Sequence, residues 1–481
     1  MSRRTPNEAA TDLPGLETSR LDPAIWKTCA VVLLGPLMAQ LDSTVVNVSL
    51  STIRGDLHAS IDAAQWIIGS YLLALALTLP LNAWLVERLG AKRLYLWCFS
   101  AFTLASLLCG AATTMNQLIV ARILQGTAGG LLAPMTQMML ARAAGKHMAR
   151  VIGYAAMPIL IAPILGPSIA GAILEYAAWP WLFYINLPIG ILAVVLAAAL
   201  LPADKPSTDR SGFDFIGFAL ISPGLAFMLF GLDRTPHREG IAALVGGLAL
   251  LAVFVWHANR KKHFALLDLQ LFRVRIFAVA AATQLLSNAA TFAGQLLVPL
   301  YLIAGCGLSA AKAGLILVPM GLGMLCTYPS MGYLTEGFGC RKVAAGGALI
   351  TLLGTLLLLW MTQGAYSPVL MVVCLVLRGI GQSAIGVPTV SAAYASVPSD
   401  RLAQATTAAN IVQRVGGPIG TTLLAIVLAA SEVHASVPGP RSFIWPVLAL
   451  TGLQLLVLGS TTRLPLRVSQ IPDRRAPAQN H

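Results

Sequence analysis

The chain has 481 residues, 57% hydrophobic and only 11% charged, with a formal net charge of +13 and a mean hydropathy of +0.76. So much apolar surface with so few charges excludes a water-soluble globule of this size, because too little polar surface is left to close it. The basic balance does not signal nucleic acid: the cations sit in short segments between apolar runs, such as Arg260-Lys261-Lys262, and in the tail at Arg474-Arg475, where membrane topology places them.

Residues 1–24 are polar and mixed in charge, with Pro6, Pro14 and Pro23, so they read as a disordered cytoplasmic tail and not as a signal peptide. A spanning helix needs about 20 mainly apolar residues. Fourteen such runs follow, near residues 25–50, 61–84, 93–112, 116–140, 150–174, 179–201, 213–233, 240–258, 276–303, 309–333, 342–361, 367–396, 404–430 and 442–462. With both termini cytoplasmic, only five of the 32 Lys and Arg residues fall on the outer side (Arg54, Arg234, Arg238, Lys312, Arg441), and three lie within spans (Arg122, Arg378, Arg414). That skew fits the positive-inside rule for a multi-pass protein of the cytoplasmic, or inner, membrane.

Within span 1, Asp42 is the only one of 19 acidic residues well inside an apolar run. A buried charge there costs a few kcal/mol even on lenient insertion scales, so it needs a reason. One reason is proton carriage as water access alternates between the two sides; the other is a carboxylate locked to an arginine for folding. Arg122 in span 4 is the expected partner, a cation that keeps its proton at any working pH, with Gln125 one turn further along. After span 2 comes Ala83-Trp-Leu-Val-Glu87-Arg88-Leu-Gly90-Ala-Lys92-Arg93, and after span 10 comes Gly332-Tyr-Leu-Thr-Glu336-Gly-Phe-Gly339-Cys-Arg341-Lys342, an offset of 249 residues between Gly90 and Gly339. Glycine in each permits a sharp turn, and the carboxylates and cations are expected to latch one global state through neighbouring loops.

Span 5 concentrates Gly153, Pro158, Pro163, Gly166, Pro167 and Gly171, which predicts a hinge or a tight seal between helices. Gly166-Pro167 is echoed by Gly417-Pro418 in span 13 and Arg122 by Arg378 in span 12, at offsets of 251 and 256. These echoes predict a duplicated bundle: residues 25–201 and 276–463 as two six-helix halves, residues 202–275 as a two-helix insert, and 464–481 as a second cytoplasmic tail. Polar residues on apolar spans are candidates for a substrate cavity at the interface: Gln40, Asn47, Gln65, Tyr71, Gln125, Gln137, Gln284, Asn288, Gln295, Gln382, Asn410 and Gln413. The seven cysteines lack paired or metal-ligand spacing and read as small core residues. No phosphate-binding loop, nucleophile motif or histidine pair points to ATP hydrolysis or to enzyme chemistry, and no cofactor or metal is expected.

These residues together resemble the major facilitator superfamily, specifically its fourteen-span drug:proton antiporters. Leu41-Asp42-Ser-Thr44-Val45-Val-Asn47-Val is similar to that group's first-span motif, Arg122 to Gly130 to its fourth-span motif, Gly166-Pro167 to Gly171 to its fifth-span antiporter motif, and Trp181-Leu-Phe183-Tyr-Ile-Asn186-Leu-Pro188-Ile-Gly190 to its sixth-span opening. The resemblance implies an all-α polytopic major facilitator fold, with Asp42 and Arg122 as the proton-coupling pair and Glu87, Gly90, Lys92 and Arg93 as a gating loop, repeated at Glu336, Gly339 and Arg341. It implies efflux of small amphiphiles or drugs against protons by a monomer, with a periplasmic adaptor as partner where the source has an outer membrane. The alternative is a dedicated transporter of one metabolite, such as an antibiotic, siderophore or fatty acid. The chain departs from the group in having Ala83 and Glu87 where glycine and aspartate are usual, and Ser51 where proline is. It also lacks the further membrane acids that pumps for lipophilic cations often have in the second half, and has Arg378 and Arg414 there, which leaves neutral or anionic amphiphiles as cargo.

Overall fold

Backbone in lipid has no water to bond with, so each apolar run satisfies its N–H and C=O groups within itself as a helix. The computed structural model describes residues 22–203, 212–261, 265–364, 366–434 and 439–466; the expected tails fall almost wholly outside them. Among the described residues, 14 helices are long and apolar enough to cross a membrane. They are α1 (Pro23–Asp56), α2 (Ile61–Leu89), α3 (Ala91–Gly110), α4 (Met115–Ala144), α5 (Met148–Tyr176), α6 (Trp181–Leu200), α7 (Phe215–Asp233), α8 (Arg238–Lys261), α9 (Arg275–Gly305), α10 (Lys312–Phe338), α11 (Cys340–Gln363), α12 (Pro368–Ala395), α13 (Ser399–Ser431) and α14 (Pro440–Thr461).

Many of these helices outrun the hydropathy signal. Residues such as Arg54 and Asp56 in α1, or Glu87 and Arg88 in α2, continue a helix past the apolar stretch into polar surroundings. The charged "loops" after α2 and α10 therefore shrink to one residue each, Gly90 and Gly339, with Glu87 and Glu336 on the last helical turns. The two glycines adopt the same backbone, φ 84 and ψ 153 at Gly90 and φ 91 and ψ 156 at Gly339, a left-handed φ that only glycine takes without strain.

The two halves repeat one packing plan. In the first, α2 packs on α4, α3 on α4 and α6, and α1 on α4, α5 and α6; in the second, α10 packs on α12, α11 on α12 and α14, and α9 on α12, α13 and α14. Even the helix starts correspond. Ser60 and Ser309 cap α2 and α10 by accepting from N–H groups three residues on, and Thr114 and Ser367 do the same for α4 and α12. Across the seam, α5 packs on α10 and α12, and α13 packs on α2 and α4, as a two-fold relation requires. The insert α7–α8 is a tight helix pair whose α7 lies against both α2 and α13, bridging the seam from outside.

An even number of crossings returns the chain to its starting side, the terminal side. Hydrogen bonds and an ion pair joining the halves gather there: Asn82 to Thr407 at 3.0 Å, Gln404 to Glu87 at 3.2 Å, Arg150 to Glu336 at 2.5 Å, Asn410 to Gln137 at 2.9 Å, and Tyr394 to Gln137.

Candidate functional site

The α1 helix presents Asp42 toward α4, where Arg122 and Gln125, three residues apart, share one face. Arg122 Nη1 donates to Asp42 Oδ2 at 2.6 Å and to Gln125 Oε1 at 2.5 Å, and Arg122 Nε donates to the Ile67 carbonyl at 3.2 Å. Gln125 Nε2 donates to Asp42 Oδ1 at 2.9 Å, and Asn186 Nδ2, from α6, donates to the same oxygen at 2.9 Å. Ser106 of α3 accepts from Gln125 at 2.8 Å and from Asn186 at 3.4 Å. Asp42 and Arg122 are each 1% exposed. One cation and two amide donors thus match the carboxylate's charge with no bulk water present, which is what a buried ion needs to persist in oil. Tyr71 of α2 closes the site: the Arg122 guanidinium lies over its ring at 4.3 Å, and over Phe183 at 5.8 Å.

The structure brings Asp42, Arg122, Gln125 and Tyr71 into one cluster. Asn186 and Ser106 belong to it as well, and sequence reasoning gave neither a role. Asn186 stood in a recognisable motif; Ser106 offered no signal, because a serine in an apolar helix ordinarily bonds its own backbone, as its hydroxyl also does here to Phe102. The other cavity candidates scatter. Gln40, Asn47, Gln65 and Gln295 are exposed, Gln382 donates to Ser287 at 3.1 Å, Asn288 donates to the Gln284 carbonyl at 2.9 Å, and Gln413 is half-buried.

The second half keeps the arginine and lacks its acid. Arg378 of α12, 2% exposed, donates through Nη1 to Thr355 at 2.6 Å, while its Nε has no partner. At Gly294 of α9, 252 residues after Asp42, the guanidinium packs so close that a β-carbon would displace it. The first half therefore holds an ion pair where the second holds a lone cation.

The charged residues of the two repeated motifs form two equivalent sets. Glu87 accepts from Gln404 of α13, and Glu336 pairs with Arg150 of α5 and has His147 Nδ1 at 3.7 Å, so each carboxylate reaches the fifth helix of the opposite half. Arg150 also lies over the Tyr333 ring at 4.6 Å. Lys92 Nζ donates to the carbonyls of Ala198 at 2.8 Å and Leu201 at 2.7 Å, and Arg341 donates to the Leu464 carbonyl at 2.6 Å. Arg93 is exposed.

Helix α5 runs unbroken through positions 158, 163 and 167. Its glycines set close approach: a β-carbon at Gly166 would meet the Thr44 methyl at 2.6 Å, two residues from Asp42, and one at Gly153 would meet the Tyr328 carbonyl of α10 at 2.7 Å. Gly171 faces open space and Pro167 is exposed. In the second half, Gly416 seats α13 on the Leu285 carbonyl of α9 in the same manner. Among the described residues no group of His, Cys, Asp and Glu is placed to hold a metal.

The family model for the Major Facilitator Superfamily matches residues 32–421. The "Multidrug resistance protein B homolog" of Mycobacterium tuberculosis is 34% identical over 427 residues, covering 87% of this chain and 79% of that protein. The "Putative multidrug resistance protein MdtD" of Klebsiella pneumoniae is 29% identical over 466 residues, covering 95% of this chain and 96% of that one. Among solved structures, the proton:xylose symporter XylE bound to 6-bromo-6-deoxy-D-glucose superposes with a TM-score of 0.62 at 14% identity, covering 94% of this chain and 99% of that one, a likeness of fold alone.

Proposed function

The chain belongs to the Major Facilitator Superfamily, and on that premise we propose that it is a proton-driven exporter of small amphiphilic molecules in the cytoplasmic membrane, working as a monomer with both termini inside. The names of its multidrug-resistance relatives support the export class. The observation that carries proton coupling is the buried Asp42–Arg122 pair, the one acid–base couple among the described residues that lies deep within the spans. With the termini inside, the bonded terminal side is the cytoplasmic gate, so the arrangement is an outward-facing state.

From that state the cycle begins when a proton from outside reaches Asp42, whose 1% exposure means that a local opening must first admit water. Protonation of Asp42 removes the charge that Arg122 holds, leaving the guanidinium to its remaining contacts with Gln125, the Ile67 carbonyl and the Tyr71 ring, and loosening α1 from α4. The halves then rock so that the cytoplasmic gate opens, substrate enters, and the proton leaves to the cytoplasm. One proton crossing about 100 mV supplies about 2.3 kcal/mol, and each pH unit adds about 1.4. Together these sustain a substrate gradient of about several hundredfold.

The test is transport by purified protein in proteoliposomes under an imposed pH gradient. Wild type moves substrate and protons in opposite directions, whereas Asp42→Asn, folded as judged by its thermal unfolding, moves neither in response to the gradient. Full gradient-driven transport by Asp42→Asn refutes the coupling role.

A further inference from the structure

Well inside the spans lie three arginines, Arg122, Arg378 and Arg414, against one acid, Asp42. Asp42 is fully engaged by Arg122, Gln125 and Asn186. A net positive interior remains, and its least engaged member is Arg414. Its Nε is buried without a partner, and no acid or acceptor among the described residues pairs with its guanidinium.

The position of Arg414 follows from the register of α13. Thr407 and Asn410 on that helix bond across the seam to Asn82 and Gln137 of the first half. Arg414 follows Thr407 by seven residues and Asn410 by four, so all three lie on one stripe. Gly416, by contrast, faces α9 within its own half. Arg414 therefore faces the first half about one to two turns beyond the gate bonds, toward the membrane centre. Arg414 is half-buried, its guanidinium has no counter-charge among the described residues, and an arginine fork is shaped for a carboxylate, sulfonate or phosphate.

We propose that Arg414 is the counter-charge for the transported molecule, so that the cargo is an organic anion: an apolar body bearing a carboxylate, sulfonate or phosphate. The assignment rests on the export function proposed above and names the substrate class for the same pathway. A lipophilic cation finds no free carboxylate well inside the described spans and meets two arginines instead. Arg378 adds to the attraction for an anion from within the second half, without itself reaching the seam.

The test compares three fluorescent probes in proteoliposomes under a pH gradient: anilinonaphthalene sulfonate, its neutral analogue N-phenylnaphthylamine, and the cation ethidium. Wild type moves the sulfonate with kcat/KM about tenfold above the neutral analogue and excludes ethidium, since a charge-assisted bidentate contact is worth about that factor. Arg414→Gln brings the sulfonate-to-neutral ratio to about one, and Arg414→Lys, which keeps the charge without the fork, restores part of it; thermal unfolding shows that each variant is folded. Gradient-driven transport that ignores probe charge, or a ratio unmoved by Arg414→Gln, overturns the anion assignment and leaves export standing. Absence of gradient-driven movement of any probe by wild type overturns the export reading and this inference with it.

Discussion

Lys92 and Arg341, 249 positions apart, are structural equivalents, each reaching from the first turn of the third helix of its half to carbonyls at or just past the C-terminus of the sixth. A cation in a first turn opposes that helix's own dipole, and the reach turns a local penalty into a favourable interaction with the carbonyl pole of a neighbour. Lys92→Ala and Arg341→Ala are each expected to lower stability by about 1–2 kcal/mol. The double variant is expected to show the sum, because the two residues sit on corresponding helices of opposite halves. Thermal unfolding in detergent checks this; loss of far less than the sum shows that the sites communicate.

Glu336 and Arg150 tie α10 to α5 across the seam between the halves at 2.5 Å in partly buried surroundings. Arg150→Glu sets like charges together and also takes the cation away from the face of the Tyr333 ring. Transport is expected to fall about tenfold, equivalent to about 1.4 kcal/mol lost from the sealed state. Adding Glu336→Arg restores the attraction and is expected to bring the rate back to within about threefold of wild type. A double variant no better than the single one removes the ion pair from the gate.

The span count and the duplication were legible because both are written in long, strong patterns: apolar runs of bilayer length and echoed motifs at nearly one offset. The Asp42–Arg122 relation was legible because each is a rare ion in an apolar run. Glu87 and Glu336 were read as loop residues because hydropathy reports where lipid ends and not where the helix ends. Asn186 and Ser106 escaped because amides and hydroxyls are common in spans, and only three-dimensional packing shows which of them face a charge.

The role of the insert was also closed to sequence reading, and the structure supplies a handle on it. Asp214, buried at the start of α7, accepts from Lys261 at 2.9 Å, from His257 at 3.0 Å, and from the backbone N–H groups of Gly217 and Leu266. Nearby, Phe213 packs edge-on against Trp84 of α2, and the Asp268 N–H donates to Gln404, the residue that also bonds Glu87. Burial would raise the Asp214 carboxyl, but the bonds from Lys261, His257, Gly217 and Leu266 outweigh it and hold it below the ordinary carboxylate value. A depressed acid contributes stability that is complete above the unfolded value near 3.9 and disappears as pH falls through the folded value. The contribution of Asp214 is therefore expected to be constant from about pH 8 to 5 and to vanish in stronger acid. Asp214→Asn should cost about 2–4 kcal/mol at neutral pH and abolish that acid-side dependence. Unfolding followed against pH in both proteins checks it, and an unchanged acid profile in Asp214→Asn assigns the dependence elsewhere.

Gly166 and Gly171 lie five residues apart on α5, yet their surroundings predict opposite tolerance. A β-carbon at 166 meets the Thr44 methyl at 2.6 Å, whereas one at 171 meets nothing within 4 Å. Interiors are packed densely enough that such an overlap displaces a helix, here α1 beside Asp42. Gly166→Val is expected to destabilise by about 1–3 kcal/mol and to cut gradient-driven transport more than tenfold, because the shift of α1 disturbs the Asp42–Arg122 geometry. Gly171→Ala is expected to be neutral or to stabilise by about 0.5–1 kcal/mol, since alanine is the better helix former. Adding Thr44→Ala or Thr44→Gly to Gly166→Val removes the clashing methyl and should recover part of the transport. If Gly166→Val is active without that second change, α1 and α5 are not sealed at this point and the glycine serves another purpose.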